Sequence, residues 1–334
     1  MRSLALAQRW QACGGAVTFL SRCESDALRR RVLEAGMQFF EVENPHPHPS
    51  DLSLTLATLE RLKGQGSKTW LVLDGYHFDP DYQQAIRSAP HPLLLIDDTA
   101  HHSVYHADVL VNQNITAPYL DYRCDSDTVL LLGTKYALLR EEFLGSPKGP
   151  RETPEVACKI LVTLGGSDPD NVTEKIIEAL KRAELPCMQA RIIAGAANRH
   201  LPGLRRALEG AGSSLELIEH SAEMPELMAW ADLAVSAAGS TCWELCFMGV
   251  PSMLVVIADN QRALAAEMAR QRGAILLGEG ERIKPSEVME QLMALALNQR
   301  QRAMLSARGR EIVDGRGAGR VTEALGLADA YDES

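Results

Sequence analysis

The chain has 334 residues, 46% of them hydrophobic and 23% charged, a globular composition long enough for two domains with a sizeable core. A net charge of −10 without a long basic run argues against nucleic acid as a partner, although backbone N–H groups could still hold a small anion. No apolar run of about 18 residues predicts a membrane span, the start MRSLALAQRWQ lacks the features of a signal peptide, and seven cysteines without metal spacing point to a reducing cytoplasm.

The chain opens on LALAQRWQACGG (4–15), whose spacing predicts a helix stopped by glycines. A doubly wound domain begins with a strand that leads into its first helix, and none is encoded before this one. The first strand of the N-terminal domain is therefore expected to be missing. Apolar runs then follow at 16–21, 37–42, 69–74, 92–98, 109–114 and 129–133, and again at 159–166, 189–195, 214–219, 233–237, 252–257 and 274–278. Runs rich in Val, Ile and Leu without polar alternation suit parallel strands covered on both faces, and helical segments separate them. Two such series predict two doubly wound parallel-sheet α/β domains, joined by the proline-bearing stretch REEFLGSPKGPRETPEVA (140–157). The expected division is 1–145, 155–315 and a closing segment 316–334. The last helix of that segment, over roughly 318–330, returns toward the N-terminal domain.

Polar residues at the ends of these strands carry the candidate chemistry. In open α/β sheets ligands bind at the carboxyl ends of strands, where helix N-termini offer free N–H groups. In LVTLGGSDPDN (161–171), Gly165-Gly166 ends a strand, Ser167 or Asp168 can cap the next helix, and Pro169 fits its first turn. In SAAGSTCWELCFMGVP (236–251), Gly239 allows a tight turn and Ser240 or Thr241 can cap the helix that follows. Glu244 either closes a capping box with Thr241 or reaches ribose hydroxyls. Cys242 and Cys246, one turn apart without further ligands, read as core rather than metal. In the first half Asp74 and Asp97-Asp98 end strands, where carboxylates position a sugar hydroxyl or water, or cap a helix. Tyr76 and His77 lie just beyond Asp74. His102 and His106 are expected on a surface helix rather than around a metal.

The runs LVLDGY, LLLIDD, ADVLVNQN, KYALLREEF, VTLGGSDPDN, MPELMAWADLAVSAAGSTCWELCFMGVP and DNQ, in this order, resemble the UDP-2,4-diacetamido-2,4,6-trideoxy-β-L-altropyranose hydrolases of pseudaminic acid biosynthesis. That family is similar to the nucleotide-sugar glycosyltransferases of GT-B fold. The resemblance covers nearly the whole chain and implies two Rossmann-like domains facing each other across a cleft. It implies a UDP-sugar substrate, with the diphosphate near Gly166, Ser167, Asp168, Ser240 and Thr241 and the ribose near Glu244. It places the catalytic residues Tyr76 and Asn260 around the sugar and the attacking water, with Asp74 and Gln261 among the substrate-binding residues. The implied reaction is hydrolysis at the anomeric carbon with inversion, releasing UDP without a cofactor or metal. The chain departs from the family at the front. The Met1-Arg2 pair and the first helix match, whereas the preceding strand, glycine turn and catalytic histidine would lie ahead of Met1. Transfer of the sugar to an acceptor, or UDP-sugar binding without turnover, are the alternatives.

Overall fold

The structure is a computed structural model that describes residues 1–23, 25–63, 69–89, 91–145, 151–166, 168–185, 187–195, 198–210, 214–219 and 223–327. In chain order the first half forms α1 (Arg2–Ala12), β1 (Thr18–Ser21), α2 (Asp26–Glu34), β2 (Gln38–Glu41), α3 (Pro49–Lys63), β3 (Leu71–Asp74), α4 (Pro80–Ser88), β4 (Leu93–Ile96), β5 (Val109–Asn112), β6 (Val129–Leu132) and a short α5 (Glu141–Leu144). The second half forms β7 (Lys159–Thr163), α6 (Val172–Arg182), β8 (Gln189–Ala194), α7 (Leu201–Leu208), β9 (Leu215–Glu219), α8 (Met224–Trp230) and β10 (Leu233–Ala237). It continues with α9 (Thr241–Met248), β11 (Ser252–Val256), α10 (Arg262–Arg270), β12 (Ile275–Glu279), α11 (Pro285–Leu297), α12 (Gln299–Ile312) and α13 (Gly317–Ala324). Each of the apolar runs named above forms a strand.

Two compact units result. The first joins Met1–Glu141 with Gly315–Ser334, and the second is Glu142–Asp314. All strand pairing is parallel, as expected of runs buried on both faces.

In the second unit one sheet runs β12-β11-β10-β7-β8-β9. Numbered from its own first strand, that is the doubly wound order 3-2-1-4-5-6, with the reversal between β7 and β10. β10 and β11 are buried along their whole length, and β7 is buried from Ile160 onward. Arg302 is fully buried and donates to Leu295 O at 2.8 Å and Glu155 O at 3.1 Å, and also to Pro154 O. It thus closes the end of α11 and fixes the segment leading into β7. A disulfide joins Cys158 to Cys187. These residues stand just ahead of the adjacent strands β7 and β8, a proximity that an odd count of cysteines does not reveal.

The first unit holds two sheets, β1-β2 and β3-β4-β5-β6. β4 and β5 are buried throughout, while β1 is half-buried at every residue. α1 packs on both. Its Leu4 and Ala7 cluster with Val32 and Met37, next to Phe19 of β1, and its Ala5 and Leu6 cluster with Leu94, Ile96, Val109 and Val111. α13 packs against α1 through Ala318 and Val321, and Arg320 donates to Lys135 O at 2.7 Å.

Candidate functional site

The second unit brings two glycine turns to the point where its strand order reverses. After β7 the backbone turns through Gly165, which takes a left-handed φ of +84°. A side chain on Gly195, just past the end of β8, would collide with the Gly166 backbone, so the turns after β7 and β8 close up because Gly195 lacks one. Ser167 lies outside the described residues. Asp168 is buried, and its carboxylate accepts from Val172 N at 2.9 Å, Thr173 N at 2.8 Å and the Thr173 hydroxyl at 2.6 Å. It serves the first turn of α6 from four residues ahead of the helix start. Pro169 therefore stands in the turn and not in the first helical turn, a correction to the sequence reading: Asn171, with φ of +52°, separates it from α6. His200 and Arg199 reach Pro169 O at 3.0 and 3.1 Å, tying the β8–α7 loop to this turn.

On the other side of the reversal, β10 ends at Ala237, and Ala238 N donates to Val255 O at 3.0 Å. Ser240 holds the N-cap of α9 with no side-chain cap bond and is exposed, while Cys242 N and Trp243 N of the first turn donate to Gly239 O and Ser240 O at 3.0 and 3.1 Å. Thr241 is already the first helical residue. The capping-box spacing assigned to Thr241 and Glu244 is thus shifted by one, and Glu244 stands half-buried as the fourth residue of the helix. Gln261 accepts from Ile257 N at 3.0 Å through Oε1, and its Nε2 lies 4.0 Å from where a Cβ on Gly239 would stand. The DNQ turn after β11 is thereby folded onto the glycine turn after β10, with Asn260 exposed beside it. Most of α9 is core. Cys242 and Cys246 are buried, and burial raises both thiols, Cys246 to about 12.

The first unit gathers a separate polar cluster at the ends of β3 and β4. The Arg2 guanidinium, at the start of α1, donates to Asp74 at 2.7 and 3.0 Å and to Asp98, and the Ser3 hydroxyl also donates to Asp74. Tyr76 donates its hydroxyl to Asp98 at 2.6 Å, and Asn114 Nδ2 donates to the same carboxylate at 3.0 Å. Burial pushes the Asp74 carboxyl up, but Arg2 and Ser3 outweigh it and hold it below its ordinary value. The Asp97-Asp98 pair splits into two roles. Asp97 is buried and accepts from Thr99 N, Ala100 N and the hydroxyls of Tyr105 and Tyr122, while Asp98 joins the cluster. Residues 97–106 form bends and an isolated bridge at Tyr105 rather than the expected surface helix, and Ala100 takes a left-handed φ of +52° where a helix would begin. His106 bonds Asp125 at 2.9 Å, and no group of metal-ligating side chains forms among the described residues.

Sequence reasoning missed Arg2, Ser3 and Asn114 as members of this cluster. A signal was present. A helix that packs across a parallel sheet presents its first residues at the strands' carboxyl ends, so polar residues at positions 2 and 3 of the chain meet the strand-end acids.

Residues 159–314 match the model of the glycosyltransferase family 28 C-terminal domain. The spore coat polysaccharide biosynthesis protein SpsG of Bacillus subtilis is 29% identical over 249 residues, covering 72% of this chain and 70% of that protein. A UDP-2,4-diacetamido-2,4,6-trideoxy-beta-L-altropyranose hydrolase of Campylobacter jejuni is 24% identical over 236 residues, 69% of this chain and 81% of its own. Among solved structures, the MurG of Acinetobacter baumannii superposes with a TM-score of 0.66 at 16% identity, over 98% of this chain and 95% of that one. The fold is accordingly of the GT-B kind, built from two Rossmann-like α/β units. No helix among the described residues is long and apolar enough to cross a membrane.

Proposed function

We propose that this protein hydrolyses a UDP-linked 2,4-diacetamido-2,4,6-trideoxy sugar in glycan biosynthesis, releasing UDP. The observation that carries the reading is the pair of glycine turns, Gly165-Gly166 and Gly239-Ser240, flanking the strand reversal of the second unit. Such an end offers backbone N–H groups and a helix N-terminus to a diphosphate. In this reading Gly166, Ser167, Ser240 and Thr241 hold the diphosphate, Glu244 accepts from the ribose hydroxyls, and Asp168 keeps the first turn in shape. Asp74, Tyr76, Asn260 and Gln261 serve the sugar and the water.

The oxygen of water attacks the anomeric carbon and the bond from that carbon to the β-phosphate oxygen breaks. UDP leaves with the electron pair, and the proton of water goes to a base. The N–H groups at the turns stabilise the charge that grows on the diphosphate as it leaves. A cytoplasmic location fits the five cysteines that remain as free thiols, with the Cys158–Cys187 bond as the exception.

A second reading, transfer of the sugar to an acceptor, is favoured by the family 28 match over residues 159–314. The deciding experiment is turnover of the UDP-sugar in ¹⁸O-water with the product sugar and UDP weighed separately. Hydrolysis puts the label on C1 of the sugar and needs no acceptor. UDP release that depends on an added acceptor establishes transfer, and UDP binding without release under either condition leaves a UDP-sugar binding protein.

A further inference from the structure

The strands that end the sheets are not alike. β2, β3, β9 and β12 carry carboxylates, at Glu41, at Asp74, at Glu216 and Glu219, and at Glu279, and charge on an end strand discourages pairing with another chain. β1 carries no charge but is half-buried at every residue. β6 has neither protection. It lies in the uncharged, proline-free run TVLLLG (128–133) and ends the β3-β4-β5-β6 sheet. Val129 and Leu130, on opposite faces of the strand, are 49% and 41% exposed. Their successors are covered, Leu131 by the cluster of α1 and α13 and Leu132 by that of α4. Tyr119, 70% exposed, stands near the same strand, because the neighbouring Pro118 lies 3.4 Å from where a Cβ on Gly133 would be.

The ladder shows which backbone groups point off the sheet. Val129 N donates to Asp108 O at 2.8 Å and Gly133 N to Asn112 O at 2.9 Å, so Val129, Leu131 and Gly133 turn toward β5. Alternate residues of a parallel ladder face alternate sides, so the N–H and C=O groups of Leu130 and Leu132 point away from β5. On that side β6 pairs with no further strand among the described residues. Charge is polarised along the strand. Its amino end follows Asp125 and Asp127, and the Asp127 side chain is 65% exposed although Arg87 bonds it at 2.8 Å. Arg87 also serves Asp108 and Asp125, so one cation answers three acids there. The carboxyl end leads to the exposed Lys135, whose carbonyl accepts from Arg320 at 2.7 Å.

We propose that the β6 edge pairs, antiparallel, with the β6 edge of a second copy of this chain about a two-fold axis at Leu131. Charge complementarity selects that occupant. Antiparallel pairing sets the acidic end of one copy, at Asp125 and Asp127, beside Lys135 of the other, and the two-fold axis repeats the match. Parallel pairing would set like ends side by side. The backbone fits the same arrangement. Leu130 of each copy lies opposite Leu132 of the other, and each such pair exchanges N–H···O bonds in both directions. The exposed Leu130 side chain then packs next to Leu132 of the second copy, and Val129 loses water on the other face. The β3-β4-β5-β6 sheet of one copy continues into that of the other, and the symmetry closes the assembly at two chains. The inference rests on the strand edge and not on the reaction proposed above.

The test is sedimentation velocity of the full chain over about 1–100 μM, where a dimer held by a short edge should form and dissociate. The parent chain is expected to pass from monomer to dimer across that range. Leu130→Pro removes an N–H that points off the sheet and spares the ladder to β5. Leu130→Lys puts a charge on a side chain already in solvent, so it keeps the test open should the proline variant fail to fold. Each change acts twice in a two-fold pair and is expected to raise the dimer Kd at least about 10-fold with the far-UV spectrum unchanged. Asp127→Lys and Lys135→Asp should each weaken the dimer, and the double variant should regain it. A parent chain that stays monomeric overturns the proposal, including where a different protein proves to cover the edge. A dimer that Leu130→Lys leaves at the parent Kd overturns it as well, and so does growth beyond two chains. A double variant no tighter than its single parents overturns the antiparallel pairing.

Discussion

The two units share a strand order but differ at its centre. In the second unit, β7 stands between β8 and β10, and its carboxyl end opens into the Gly165-Gly166 turn at the reversal. In the first unit the equivalent place is unfilled, and Arg2 and Ser3 at the head of α1 sit directly on the strand-end carboxylates. The difference shows what a central strand does in this architecture. It supplies hydrogen bonds to both neighbours, and it also delivers the loop that shapes the binding end of the sheet. A unit without it keeps its helices, its remaining strands and its acids, but presents them around a different set of groups.

The largest expected effect tests that difference through turnover. Tyr76→Phe is expected to release UDP from the UDP-sugar about 10²–10⁴-fold more slowly than the parent chain, the range typical of a lost general acid–base group. The acids of the first unit are already engaged by Arg2, Ser3, Tyr76 and Asn114. Equal rates from the two chains would break the comparison at its functional end.

A second test uses one substitution in two settings. Leu161 in β7 is fully buried, and Leu161→Ala is expected to cost about 2–5 kcal/mol. Leu71 in β3 is half-buried beside the gap, and Leu71→Ala should cost about 1 kcal/mol. Urea unfolding of both variants, followed by probes specific to each unit, reads the two values. A loss at Leu71 as large as that at Leu161 would mean that β3 is packed like a central strand.

Much of this was legible in the sequence because buried parallel strands leave a simple mark. KILVT, LAVSA and SMLVV are short, apolar and without alternation, and each forms a strand where it stands. The glycine turns were legible for a related reason, since a glycine after such a run is needed where backbones crowd, as at Gly195 against the Gly166 backbone. Other features depend on partners distant in sequence. Nothing local marks Asp97 as structural and Asp98 as a cluster member, because Tyr105, Tyr122 and Arg2 decide it. The expected helix over the histidines failed, and so did the placing of Pro169 in α6. At Pro169 the Asp168 carboxylate accepts from Val172 and Thr173 and sets the helix start beyond the proline, and over the histidines the left-handed Ala100, φ +52°, breaks the helical path.

The third prediction concerns the ligand end of the second unit. If Glu244 accepts a charged hydrogen bond from the ribose, Glu244→Gln should weaken UDP binding by about 1.5–3 kcal/mol, measured by calorimetry. Glutamine keeps the length and the helix propensity of glutamate, so α9 is preserved. A folded variant with unchanged affinity would return Glu244 to a helix-terminus role and remove it from the site.

The smallest expected effect is in the first unit and concerns acid. Asp74 has a folded-state pKa below its ordinary 3.8, because Arg2 and Ser3 together outweigh the cost of burying its charge. A carboxylate whose pKa is depressed by folding contributes stability that is fully present above the unfolded value and is lost as pH falls through the folded one. Asp74→Asn removes this contribution. At neutral pH the variant should be less stable by about 1 kcal/mol, a modest figure because Arg2 retains Asp98 and its side chain is part-exposed. On acidification below about pH 4 the wild-type first unit should lose stability faster than the variant, so that the two urea midpoints converge. The second unit, which lacks this cluster, should show no difference between the two proteins at any pH. Midpoints that stay parallel down to about pH 2 would mean that the Arg2–Asp74 pair does not set this titration, and that α1 is held over the gap by its apolar flanks alone.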